Sequence, residues 1–477
     1  MYYTGGEDVE LVYRYDFYLD QVMVDPEDGD VGVFKVHTAH NGIREFTVRF
    51  DCLGQKELQQ RLAKYGIIGH RAQQKLVTDY VINALLESQD INKAKLMRVQ
   101  LGWADNDTKF IVGEREITVD GCYHSPASTI TESYAPHFAP KGTYAKWQEV
   151  FNIYNRPGLE IQAFAALSGF GAPLLKLTGQ KGALINLVHK QAGTGKTTVL
   201  RMANSIYGDP ENLLGTPDDT AVGRINKLGV FNSIVNTMDE LTNMEDKEVG
   251  KFAYACSQGK GKERGQASIN ANRKNLTTWR TITLTTSNTS FYQKLQNLKS
   301  QADGELMRII EFIIEYQDIS VVTTAEGKEM FDHQLNANYG HAIVPFMQYV
   351  LANLDAVRER IKAVQSKIDS ELNLTQRERN WSAIIAANIT AGMIATELGI
   401  IDFDMRRIFQ KTAPVLKSMR DDTVAPLDSN AGNIGEFINR NLIHTLVVES
   451  GSDMRSGRVK VPDLEPRGSL YIRIEPD

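Results

Sequence analysis

HKQAGTGKTTVL, running from His189 to Leu200, follows directly on the apolar run ALINLV, Ala183 to Val188. An apolar run of that length, bounded in front by Gly182, reads as a buried strand, and the glycines after it read as a turn into a helix that opens at Lys196. Backbone N–H groups of the Gly193-Thr194-Gly195 turn and of the helix N-terminus together make a concave anion site. In that frame Lys196 reaches β- and γ-phosphates, Thr197 offers its hydroxyl to Mg²⁺, and Thr198 continues the helix. ATP and Mg²⁺ are therefore the expected ligands. One position departs from the usual G-x-x-x-x-G-K-[ST] spacing: Lys190 stands where the first glycine belongs, which predicts an altered approach of the loop. The competing reading is a glycine-rich strand–helix turn that binds nothing.

Three further segments fit the same chemistry. Ser233–Glu240 (SIVNTMDE) is an apolar run ending in two carboxylates, expected as a strand beside the nucleotide strand. Asp239 would hold the magnesium water shell and Glu240 would polarise the attacking water; a solvated loop after a core strand is the plainer alternative. Thr281–Asn288 (TITLTTSN) ends a strand in a polar cluster, so Asn288 would position that water or else cap a turn. Arg308, just before the apolar run Ile309–Ile314, would project from the edge of the nucleotide domain. There it would supply positive charge to a neighbouring subunit's γ-phosphate, or pair with Glu305 or Glu311. Between these segments Gln258–Lys274 carries Lys260, Lys262, Arg264, Arg273 and Lys274 against a single Glu263. Its glycines suit a loop or hairpin that touches nucleic-acid phosphates, although a solvated charged loop has the same composition.

Composition bounds these readings. The 477 residues are 42% hydrophobic and 23% charged, ordinary for a globular chain of two to four domains. A net charge of −6 means that any nucleic-acid contact must be local. Cys52, Cys122 and Cys256 are too far apart to suggest a disulfide framework or a zinc site. No run approaches membrane-spanning length and the first residues do not resemble a signal peptide, so a soluble, cytoplasmic protein without membrane contact is expected.

Coarse periodicity places β-like runs at Val9–Tyr13, Val31–Val36 and Arg44–Phe50. It places helices at about Gln55–Lys64 and His70–Ser88. Residues 101–117 read as a strand, a turn at Asp105–Asp107 and a returning strand. The prolines of Ser125–Lys141 mark a boundary. From Tyr144 to Gln317 helices alternate with apolar strands, the pattern of a parallel sheet covered by helices. After residue 326 the chain reads as helical: a long charged stretch over Gly340–Ile368, then Trp381–Leu398 and Met405–Met419. Short β-like runs follow at Thr445–Val448 and Leu470–Ile474. The fold class is α/β, divided as 1–143 (α+β), 144–325 (nucleotide domain), 326–420 (helical) and 421–477 (a small β-containing segment).

The ordered set GTGKTT, TMDEL, SQGKGKERG, TTSN and GELMR resembles phage and plasmid replicative helicases of the AAA+ class related to helicase superfamily three. It is most similar to a branch that joins a domain of unknown function to a helicase-like ATPase. LGWADNDTKFIVGEREI (101–117), Ala203–Pro210 and Asn338-Tyr339-Gly340 extend the resemblance to about residues 55–400. The resemblance implies a P-loop AAA+ core and a ring, usually of six identical subunits, with ATP at each interface. It implies that Lys196, Thr197, Asp239, Glu240 and Asn288 form one half of each site and Arg308 the other. Lys260 and Lys262 would line a central channel holding single-stranded or forked DNA, and a primase or polymerase is a possible partner. The work implied is ATP-driven unwinding during phage or plasmid replication. The alternatives are an origin-melting initiator or packaging motor, a nucleotide-binding assembly module of low turnover, and, most remotely, a small-molecule kinase.

Overall fold

A computed structural model of the chain describes residues 2–428 apart from 6–7, 26–28, 39, 41, 54–55, 90–94, 129, 192, 262–263, 266–271, 274–276, 299–302 and 315–320, together with 447–449 and 458–460. Strands β1 (Tyr2–Gly5) and β2 (Asp8–Leu11) pair antiparallel. Strands β3 (Phe17–Asp25), β4 (Gly29–Thr38) and β5 (Gly42–Arg49) form an antiparallel meander, and β6 (Lys95–Leu96) adds parallel to β3, giving the order β5-β4-β3-β6. Strand β3 lies outside the runs expected from sequence. A bulge between Leu19 and Gln21 shifts its side-chain period, so its apolar residues do not alternate cleanly. Helices α1 (Lys56–Lys64) and α2 (Arg71–Gln89) fall where periodicity places them. They bury Leu58, Leu62, Val77, Val81 and Leu85 against Phe17, Phe34 and Phe46, with the Phe17 ring 5.2 and 5.9 Å from the other two.

Residues 101–124 hold more strand than the expected pair. β7 (Gly102–Ala104), β8 (Lys109–Val112), β9 (Arg115–Ile117) and β10 (Cys122–His124) make a four-stranded antiparallel meander. Its first turn is the expected one: Asp105, Asn106 and Asp107 adopt φ of 49°, 55° and 68°, which short polar side chains tolerate better than most. The indole N–H of Trp103 donates to Pro173 O at 2.9 Å. The Arg115 guanidinium, largely buried, donates to the carbonyls of Gly340, Phe138 and Tyr207, tying three distant segments to this sheet.

Helices α3 (Tyr144–Phe151), α4 (Glu160–Ala166) and α5 (Ser168–Leu175) lead into a five-stranded sheet, all parallel. In chain order come β11 (Gly182–Val188), α6 (Lys196–Ser205), β12 (Leu214–Gly215), α7 (Ala221–Phe231), β13 (Asn236–Met238) and α8 (Asp246–Gln258). The hairpin strands β14 (Arg264–Gly265) and β15 (Asn272–Arg273) follow, then β16 (Thr281–Ser287), α9 (Phe291–Leu298), α10 (Asp303–Leu306) and β17 (Ile309–Ile313). Sheet order is β12-β13-β16-β11-β17. Both faces are covered: Ala183, Ile185 and Leu187 enter the main core with α4, α5 and α6, whereas Leu184 enters a second cluster with Val249 and Phe252 of α8. Two expectations are corrected. The strand expected over Ser233–Met238 starts only at Asn236, because Ser233–Val235 make the turn out of α7. It also does not lie beside the nucleotide strand, since β16 intervenes. Strand β16 is unusually hydroxylated for a central position: Thr281 donates to Ile234 O at 2.6 Å and Thr285 to Asn186 Oδ1 at 2.9 Å.

The short α11 (Thr324–Gly327) and α12 (Leu335–Ala337) bracket a π-helical stretch, Lys328–Gln334. The long helix expected over Gly340–Ile368 is instead α13 (Ile343–Ala352) and α14 (Leu354–Leu372), broken at Asn353, whose φ of −130° is not helical. Helix α15 (Arg379–Glu397) is buried along nearly its whole length against α5 and α14, and α16 (Met405–Asp428) runs past the expected stop at Met419. Near the C-terminus β18 (Val447–Glu449) pairs with β19 (Arg458–Lys460); the run expected at Leu470–Ile474 lies outside the described residues. Among the described residues no helix is long and apolar enough to cross a membrane.

Candidate nucleotide site

The turn from β11 into α6 depends on glycine at two positions. Gly193 and Gly195 both take φ of 76°, a conformation that L side chains rarely adopt, although a Cβ at either would meet open space. Gly195 is the residue that caps α6 and has no side chain to do so, which leaves the first N–H groups of the helix without a partner from the cap. Lys190, in place of the usual first glycine, is exposed at the bend. The preceding His189 holds the turn through Nδ1, which accepts the Gln191 N–H at 3.0 Å.

Lys196 is only 6% exposed, and its ammonium is enclosed by acceptors. It donates to His189 O at 2.9 Å, Gln191 O at 3.1 Å, Asn288 Oδ1 at 2.9 Å and Thr194 Oγ1 at 3.4 Å. Burial pushes its pKa below the ordinary lysine value, while Glu240 and Asp239 push it back up. Neighbouring Thr197 donates its hydroxyl to Asp239 Oδ2 at 2.8 Å. Thr198 lies behind them, half-buried in the first turn of α6.

The carboxylates are held from β16. Thr286 donates to Asp239 Oδ1 at 2.5 Å and accepts the Glu240 N–H at 2.9 Å, bridging both residues. Glu240 Oε1 accepts from Thr242 Oγ1 at 2.6 Å and from Asn288 Nδ2 at 3.0 Å. The Asn288 N–H donates to Thr242 Oγ1 at 2.8 Å, closing the network. Glu240 has φ of 54° and ψ of 51°, a left-handed backbone that costs a non-glycine residue on the order of 1–3 kcal/mol. That strain is kept by its neighbours, and it turns an exposed carboxylate toward Asn288. Five of the residues singled out from sequence (Lys196, Thr197, Asp239, Glu240 and Asn288) thus meet at the C-terminal ends of β11, β13 and β16. Thr242 and Thr286 had no role in the sequence reading. Their only signal is proximity, two positions after Glu240 and two before Asn288.

Arg308 does not join them. The register sets Leu184 against Ile309 and Val188 against Ile313, so Arg308 is level with Ala183 at the opposite end of the sheet. Six residues at about 3.3 Å each put it roughly 20 Å from the loop. It lies in the turn just before the edge strand β17, its guanidinium donating to Gly304 O and resting 5.1 Å from the centre of the Tyr254 ring. Glu311 is not its partner; that buried carboxylate accepts from Asn186 Nδ2 at 3.0 Å and from the Phe291 N–H at 2.8 Å. Of the basic segment, Lys260 is exposed and bridged to Thr278, and the backbone beyond it forms the hairpin β14–β15, in which Arg264 stands opposite Arg273. Lys262 and Lys274 lie outside the described residues.

Among the described residues no group of three or more His, Cys, Asp or Glu could hold a metal. A magnesium ion at Thr197 and Asp239 would need phosphate and water oxygens to complete its shell, as is usual for this ion.

Residues 4–276 match the model of a family described as "Domain of unknown function (DUF927)". No curated protein matches the chain. A solved structure described as "SCCmec type IV Cch - active helicase" is similar over 98% of this chain and 85% of its own, with a TM-score of 0.65 and 18% identity, so the two share a fold. A second, "The A form apo structure of NrS-1 C terminal region-CTR", covers 82% of this chain and 90% of its own at 10% identity. Its TM-score of 0.33 carries no argument.

Proposed function

This chain belongs to the DUF927 family, and we propose that it is an ATP-driven DNA helicase or translocase built on a P-loop AAA+ core. The convergence of Lys196, Thr197, Asp239, Glu240 and Asn288 on one glycine-formed loop carries the reading. Lys196 and the loop N–H groups would bind the β- and γ-phosphates, with Gly193, Thr194 and Thr198 completing the cradle. Thr197 and Asp239 would hold Mg²⁺, which when bound neutralises phosphate charge. Glu240 would take a proton from the attacking water, kept in orientation by Asn288. The fold shared with a protein described as an active helicase supports unwinding as the work done.

About 20 Å of sheet separates Arg308 from its own loop, so a part in hydrolysis would require the site of a neighbouring subunit, which a ring would provide. The assembly we propose is a homo-hexamer in which the hairpins bearing Lys260, Lys262, Arg264, Arg273 and Lys274 contact single-stranded or forked DNA. Its setting would be phage or plasmid replication in a host cytoplasm, with a primase or polymerase as partner. Residues 1–143, 144–325, 326–420 and 421–477 would be its four parts.

Hydrolysis and strand separation on a forked duplex test this together. Lys196→Ala should lose both, and Glu240→Gln should bind ATP yet turn it over at least about 100-fold more slowly, the lower end of what one general base contributes. Wild-type turnover in Glu240→Gln would remove that residue from the reaction. Hydrolysis on DNA that leaves the fork intact would favour an initiator or a packaging motor.

A further inference from the structure

Helices α1 and α2 are joined by residues 65–70, and an open groove of about 580 Å³ lies between them. Its walls are Gln59 of α1 and Arg71, Ala72, Gln74, Lys75 and Thr78 of α2. No carboxylate lines it. Residues 56–75 carry Lys56, Arg61, Lys64, Arg71 and Lys75 against Glu57 alone, in a chain whose net charge is −6. Two of those cations are already engaged: Arg61 and Lys64 reach Glu132 at 2.8 and 3.6 Å. Arg71 and Lys75 are exposed and form no ion pair among the described residues, although Asp79 lies one turn beyond Lys75.

We propose that this groove is a second nucleic-acid site, separate from the β14–β15 hairpin, that grips the phosphodiester backbone of DNA. Arg71 and Lys75 are four residues apart, so they share one face of α2 about 6 Å apart along the axis. That spacing is nearly two of the roughly 3.4 Å axial steps between phosphates of one strand, within the reach of two long, flexible side chains onto nearby phosphates of that strand. Gln59 and Gln74 add amide donors for phosphate and sugar oxygens, contacts that position a strand without reading its sequence. No aromatic ring lines the groove, so base stacking plays no part and binding is indifferent to sequence. The site shares its partner with the proposed function but needs neither ATP nor ring closure.

Fluorescence anisotropy of the full chain on a labelled duplex and on a labelled single strand, titrated with salt, tests it. Arg71→Ala/Lys75→Ala should flatten the log–log salt slope by about 1.8 on duplex or about 1.4 on single strand. On duplex, the affinity advantage of the wild type should therefore shrink about 12-fold between 50 and 200 mM salt. Arg71→Lys/Lys75→Arg should restore the slope, whereas Lys260→Ala should leave this groove's contribution in place and subtract its own. Both replaced side chains are exposed, so melting and DNA-free nucleotide binding should not move, which separates this test from that of the ATPase. An unchanged slope on both DNA forms, or no DNA binding at 50 mM salt, overturns the proposal.

Discussion

Asn288 bonds both to Lys196 and to Glu240, and removing its amide should move binding and turnover in opposite directions. Asn288 Oδ1 accepts from Lys196 at 2.9 Å, a contact that the lysine would exchange for one to phosphate in the proposed function. A hydrogen bond to a charged group is worth about 1.5–3 kcal/mol, and the lower end applies because Lys196 keeps its three other acceptors. Asn288→Ala should therefore bind ADP on the order of 10-fold more tightly, ADP being chosen because it presents no γ-phosphate for Asn288 to touch. Once nucleotide is bound, the contact that matters is Asn288 Nδ2 to Glu240 at 3.0 Å. Hydrogen bonds to charged groups contribute about 1.5–3 kcal/mol, and a half-exposed site belongs at the lower end. A loss of about 1.5–2 kcal/mol lowers kcat about 10- to 30-fold. Isothermal titration with ADP and a coupled ATPase assay read the two effects separately. Weaker ADP binding together with an unchanged kcat would refute the bridging role of Asn288.

Three other outcomes follow from the geometry. Inactive Arg308→Ala mixed with inactive Lys196→Ala should regain part of the ATPase through mixed interfaces; no rescue in rings shown by mass to be mixed would make Arg308 purely structural. Lys260→Ala/Lys262→Ala should flatten the salt dependence of single-strand binding by about 0.7 for each lysine engaged, with DNA-free hydrolysis intact; an unaltered slope would remove the hairpin from the DNA path. Burial holds the Glu311 carboxyl above the ordinary glutamate value. The unfolded chain therefore releases this proton at lower pH than the folded chain does. Ionisation then costs the fold stability as pH climbs from the ordinary value to the raised one. Glu311→Gln keeps an acceptor for the Phe291 N–H, so its melting temperature should gain on the wild type as pH rises above the ordinary glutamate value of about 4. Parallel melting curves would contradict this.

The glycine loop was legible in the sequence because strand, turn and helix are contiguous, and each residue type acts on its immediate neighbours. Asp239 and Asn288 were legible as polar endings of apolar runs. The bonds that unite them were not, because Thr286 meets Asp239 only through the order in which strands pair, and β16 separates β13 from β11. Strand β3 escaped notice for a local reason, its bulge near Asp20. Asn353 breaks α13 from α14 within one continuous helical pattern, and asparagine carries too weak a stop signal to announce that alone. The groove between α1 and α2 was hidden differently: both helices were expected, but which side chains remain unpaired depends on Glu132, more than fifty residues downstream of either helix's start.

Strand β16 deserves a last consequence, one for protein engineering. Its threonines have the branched shape of valine, so replacing them with valine would keep the interior filled and look conservative by volume. Their hydroxyls, however, tie Thr281 to Ile234, Thr285 to Asn186 and Thr286 to Asp239, each to a different neighbouring segment. Sliding a strand by one residue turns every side chain to the opposite face, and these bonds form only in one alignment. A heat-resistant version sought by making the sheet interior more apolar would erase the marks that index one strand against the next. Tolerance to substitution in this chain should therefore be lower along β16 than its buried, β-branched composition suggests, and safer changes lie on the outward faces of the surrounding helices.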